Sequence, residues 1–108
     1  MTENNLEQLL SVGSVVYLKE GTLKVVVIAR GQLVKLKENE NKPTYFDYLG
    51  SLYPQGYDVD NRYYFNQEQI EKVVFPGYSD DEEQRYQVVL EEWKKANQDK
   101  YILMDEES

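Results

Sequence analysis

Two runs rich in β-branched residues, Ser14 to Lys19 (SVVYLK) and Leu23 to Ala29 (LKVVVIA), are split by Glu20-Gly21. Branching at Cβ stiffens the side chain and favours the pleated backbone, so two such runs around a short Gly-containing spacer read as a β-hairpin. Within the second run, Val25-Val-Val-Ile28 has no polar alternation. That strand is expected in the middle of a sheet and covered on both faces, and the rest of the chain has to supply its neighbours and its cover.

The neighbours follow in order. Gly31 interrupts the run, and Leu33 to Lys37 is expected as a third strand before the polar loop Glu38 to Pro43. Thr44 to Tyr53 places Phe46, Tyr48, Gly50 and Leu52 on one face and Tyr45, Asp47, Leu49 and Ser51 on the other, with Gly50 marking a bulge or a close backbone approach. Pro54-Gln55-Gly56 is a turn, Arg62 to Phe65 a short aromatic strand, and Asn66 an N-cap for a helical turn over Gln67 to Lys72. Val73-Val74-Phe75 returns to extended chain and Pro76-Gly77 stops it. At the front, Leu6, Leu9, Leu10 and Val12 suggest a short helical lead-in that must dock on something else.

The cover is expected from one helix, Asp80 to about Gln98. Ser79-Asp80-Asp81-Glu82 has the capping-box pattern, acids crowd the first turn, and Lys94, Lys95 and Lys100 follow at the far end, as the macrodipole favours. Tyr86, Val89, Leu90, Trp93 and Ala96 form an apolar stripe at helical spacing, expected to lie on the sheet. The fold class is therefore α+β: a small, mainly antiparallel β-sheet of about four or five strands packed by a C-terminal amphipathic α-helix. Residues 1–100 form a single domain, with an apolar patch and acidic tail over 101–108.

Composition closes off most chemistry. The 108 residues contain no His and no Cys, which excludes Ser-His-Asp and Cys-His nucleophile systems, disulfides and Cys/His zinc sites. Asp58-Val-Asp60-Asn61 resembles a calcium loop only at its start, because Arg62 and Tyr63 occupy the fifth and sixth positions and Gln69 the twelfth. No acid pair stands out, no Gly-rich phosphate loop is present, and the expectation is a chain with no catalytic residues, no metal and no cofactor. A net charge of -8 opposes nucleic acid and anionic lipid, and no segment approaches the length of a membrane span. With no signal-peptide pattern at Met1-Thr-Glu-Asn-Asn, the expected location is the cytoplasm.

Protein binding is what the residues leave. Residues 1–60 carry 6 basic and 8 acidic groups and residues 61–108 carry 6 and 12, so the acidity lies mostly in the C-terminal half and suits a basic partner. Ten tyrosines exceed what a core of this size needs, and Tyr combines large area with a polar tip. Candidate partner-binding residues are Tyr53, Tyr57 and Tyr78, the run Asp80, Asp81, Glu82 and Glu83, and Val88 on the helix side away from the stripe. Homodimerisation through an exposed strand or through Tyr101 to Met104 is left open.

Val12-Gly-Ser-Val-Val-Tyr-Leu-Lys19, Phe46-Asp-Tyr-Leu-Gly-Ser-Leu-Tyr-Pro-Gln-Gly56 and Tyr64-Phe-Asn-Gln-Glu-Gln-Ile-Glu-Lys-Val-Val-Phe-Pro-Gly-Tyr78 occur in this order ahead of an acidic helix start. Over about residues 9 to 95 the chain resembles the family known as domain of unknown function 4176. The resemblance implies a small Gram-positive protein associated with type VII secretion and with toxins carrying an N-terminal LXG domain, acting as a non-secreted chaperone or targeting factor. It carries no catalytic residues to this chain. The alternative expectation is an immunity protein whose acidic face blocks a basic toxin active site.

Overall fold

A computed structural model describes residues 8–19, 22–37 and 41–103. Strands β1 (Val15–Leu18), β2 (Lys24–Val34), β3 (Thr44–Leu52), β4 (Tyr63–Phe65) and β5 (Ile70–Phe75) precede the helix α1 (Asp81–Ala96), and a two-residue strand β6 (Ile102–Leu103) follows it. The sheet order is β4-β3-β2-β1-β5, all antiparallel, with β6 added parallel to the far end of β3. The fold is α+β as the sequence implies, with β1 and β2 forming the expected hairpin.

Three local expectations change. Gly31 does not end a strand: β2 runs through it to Val34, with Leu33 opposite Tyr45 and Val34 opposite Thr44, and the irregularity falls earlier, at Ile28. A backbone φ of 65° at Gly31 lets the strand continue where a side chain would strain it. The helical turn after Asn66 is a single 3-10 turn, Gln67–Gln69, and Ile70 already belongs to β5. The lead-in expected from Leu6 lies partly outside the described residues, and its described part is not helical.

The link between β4 and β5 shapes the whole sheet. These strands occupy opposite ends of a five-strand path, about 19 Å apart if the sheet were flat. Yet only residues 66–69 join them, three of them in a 3-10 turn, with a reach of about 14 Å. The sheet therefore curls, and the turn is tied across the gap by the Lys19 N–H donating to the Gln69 carbonyl at 2.8 Å and by Leu18 opposite Ile70. Val16, Val25, Val27, Tyr48 and Phe65 fill the inside of the curl, with Leu9, Leu10, Leu18, Leu52 and Ile70 packed around them.

The end of β5 is fixed by Gly77, whose N–H donates to the buried Ser14 hydroxyl at 2.9 Å. A Cβ there would lie 2.5 Å from the Val12 carbonyl oxygen and 2.9 Å from the Ser14 nitrogen, both backbone atoms that cannot swing aside. Gly77→Ala is expected to lose about 1 to 3 kcal/mol in urea unfolding by overpacking this junction.

The helix does not cover the sheet with its apolar stripe. No residue of α1 is fully buried, and the positions turned inward are Glu83, Gln87, Leu90 and Lys94. Tyr86, Val89 and Trp93 lie along one flank of that contact, Val89 at 60% and Trp93 at 37% exposure. The inside of the curl is already closed by the strands and by Leu9 and Leu10, so little apolar surface remains for the helix to bury. Trp93 instead stacks on Tyr101 (ring centroids 5.9 Å), which packs on Tyr45 (5.2 Å). Tyr101 is thus part of the fold and Ile102 and Leu103 are strand, while the remaining tail, Met104 to Ser108, lies outside the described residues.

Candidate protein-interaction surface

Arg30 is the buried base of strand β2, and its surroundings set the position of the helix start. Its guanidinium grips the Glu83 carboxylate with two bonds, of 2.6 and 2.7 Å, and Nη1 also donates to the Leu10 carbonyl at 2.9 Å. Gln87, one turn on, donates to Glu83 Oε2 (2.7 Å) and to the Leu9 carbonyl (2.8 Å), and its Oε1 accepts the Leu9 N–H (3.0 Å). The Leu10 N–H donates to the Tyr48 hydroxyl at 2.8 Å, and that hydroxyl donates in turn to Gln67. Side chains from β2, β3 and α1 therefore hold both N–H groups and both carbonyls of Leu9 and Leu10.

These groups are fixed in charge as well as in place. The hydrogen bonds from Arg30 hold the Glu83 carboxyl below its ordinary range, and those to Glu83 raise Arg30 further. Burial pushes the Tyr48 phenol up to about 12. Tyr86 lies over the guanidinium, 5.1 Å from its ring centroid. At the other end of the helix Lys94 sits 4.7 Å over the Tyr45 ring and 4.0 Å from Asp47, whose other oxygen accepts the Gln67 N–H at 2.9 Å. A cleft of about 780 Å³ between α1 and the 3-10 turn has Asp47, Gln87 and Lys94 in its wall, all engaged in these contacts.

The helix cap differs from the sequence expectation. Asp80 is the N-cap and accepts the Glu83 N–H at 3.0 Å, while the Ser79 hydroxyl accepts from the Gln84 side chain. Glu82 is released from the expected box and stays exposed, and Glu83 is withdrawn from the surface into the pair with Arg30, so Glu83 leaves the set of partner-binding candidates.

The remaining candidates fall into separate places. Tyr78, 79% exposed, leads directly into exposed Asp80, Asp81 and Glu82. Tyr53 and Tyr57 flank the Pro54 turn at the end of β3, three strands from β5 in the sheet order, and Val88 is exposed on the cleft side of α1. What the structure adds to Tyr78 is apolar: Val73, Val74 and Phe75 of β5 are exposed, Phe75 at 60%, and exposed Val12 packs its backbone against Gly77 just beyond them. Sequence reading treats Val73 to Phe75 as ordinary strand, because nothing in three apolar residues reveals that their strand is at an edge.

No helix among the described residues is long and apolar enough to cross a membrane. Residues 9–86 match the model of a family described as Domain of unknown function (DUF4176). The match spans well over half of the chain, which belongs to that family, as the ordered motifs from Val12 to Tyr78 indicate. No curated protein and no solved structure matches the chain.

Proposed function

We propose that this DUF4176 protein is a non-catalytic cytoplasmic protein-binding factor, a chaperone or targeting factor for a type VII-secreted LXG toxin. The toxin and its secretion route come from the family resemblance. The observation that supports binding is the exposure of Val74 and Phe75 on edge strand β5 and of Tyr78 just after it, followed along the chain by the exposed acids Asp80, Asp81 and Glu82. Exposed apolar and aromatic residues beside charge are the composition of protein-binding surfaces, where aromatic residues dominate the energy and rim charges set encounter and specificity.

Co-expression with an LXG-domain toxin, followed by pull-down with toxin truncations, tests the proposal. Phe75→Asp is expected to weaken capture by about 2 kcal/mol, roughly thirtyfold in Kd, with the far-ultraviolet spectrum unchanged. Failure to bind any toxin domain or secretion component removes the reading. Exposed Asp81 and Glu82 favour a second one, immunity by blocking a basic active site. Immunity predicts that cells expressing the protein survive the toxin, whereas a chaperone changes toxin abundance or export without protecting them.

A further inference from the structure

We propose that the exposed flank of α1 is a self-association surface that pairs two copies of this chain through antiparallel helices crossing near Val89. Tyr86, Val89, Trp93 and Ala96 recur at alternating spacings of three and four, a stripe about 80 degrees wide on a helix of 3.6 residues per turn. Such a stripe is complementary to another helix, since ridges at these spacings interlock with those of a helical neighbour. On this chain it lies to the side of the sheet contact, with Val89 60% exposed and the only tryptophan 37% exposed.

The occupant follows from charge and symmetry. A two-fold axis near Val89 sets the residues before it beside those after it in the second copy. Tyr86 then lies beside the second copy's Trp93, and Arg85, on the outer rim of the stripe, beside its Glu92. Both pairs occur twice, and the exposed acids of the first turn (Asp81, Glu82) of each helix run toward the Lys95 end of the other, so the helix dipoles also oppose. The other obvious route to a dimer, the outer edge of β5, is less suited: register shifts opposite β1 pass over Glu71 and Val74, and bulges and charges of this kind blunt a sheet edge against pairing.

Sedimentation equilibrium on the full chain from micromolar to millimolar concentration, with Trp93 emission followed on dilution, tests the proposal. The expected result is a monomer–dimer equilibrium whose dissociation moves Trp93 emission to the red, weakened at least about thirtyfold by Val89→Glu. Arg85→Glu and Glu92→Arg are each expected to weaken it, and the double reversal to restore it. Since all three positions are exposed, the variants keep the wild-type circular dichroism. A wild-type chain that stays monomeric at millimolar concentration overturns the proposal. So does a dimer that ignores Val89→Glu, or one in which the double reversal fails to recover what the single reversals lose.

Discussion

Arg30→Ala is expected to destabilise the fold by about 3 to 5 kcal/mol, a large share of what a domain of this size possesses. The side chains of Arg30 and Glu83 are 5% and 12% exposed, so removal of the base leaves a carboxylate held in the interior without its partner. The Leu10 carbonyl loses its donor at the same time, and Gln87 is left to satisfy Glu83 alone. Replacing both partners by apolar residues, Arg30→Met with Glu83→Leu, is expected to recover much of the loss, because a buried pair removed together leaves no uncompensated charge. A single variant near wild-type stability would mean that water reaches the pair.

The same pair makes stability depend on pH in one direction. Glu83 has a folded-state pKa depressed below its unfolded value, so its contribution is complete above the unfolded value and is lost as pH falls through the folded one. Arg30 is raised from a value already far above neutrality and adds nothing to the slope there. Urea unfolding measured downward through the carboxylate range should show wild type losing stability relative to Glu83→Gln, with the gap closing as both reach their acid limit. Parallel curves would detach Glu83 from the effect.

The elements were more legible than their arrangement. β-branched runs, Pro-Gly stops and the acid-to-base polarity of α1 are local properties, and they place the hairpin, β3, β4 and the helix close to where they form. The docked face of the helix was not legible, because two sets of residues share helical spacing: Tyr86, Val89, Trp93 and Ala96 on one side, and Glu83, Gln87, Leu90 and Lys94 on another. Hydrophobicity favours the first set. The second is the one that docks, since the sheet and the segment before it offer Arg30, the Leu9 carbonyl, Gly31 and the Tyr45 ring rather than an open apolar face. Arg30 directly follows the apolar run Val25 to Ala29, but its partner is 53 residues away in sequence. The exposure of Val12 and Phe75 was illegible for a different reason: edge position is a property of strand order, which long-range pairing sets and residues 66–69 close into a curl.

That curl makes the second large expectation specific. Phe65→Ala should cost about 3 to 5 kcal/mol, while Trp93→Ala, the change a helix-on-sheet core would make the more damaging, should cost only about 1 to 2. Phe65 is 1% exposed, stacks on Tyr48 with ring centroids 5.2 Å apart, and lies so close to Gly50 that a Cβ there would meet its ring at 2.9 Å. Trp93 has one face on Tyr101 and the other open. Phe65 also ends β4 immediately before the turn that ties the two edges of the sheet, so the damage should spread along the chain. Amide exchange gives the readout: in Phe65→Ala the Lys19 N–H, bonded to Gln69 across the gap, should lose protection together with β4, whereas in Trp93→Ala it should keep it. The reverse order of stabilities would put the core beneath the helix after all, and retained Lys19 protection in Phe65→Ala would show that the curl is held by the backbone link without the side chains inside it.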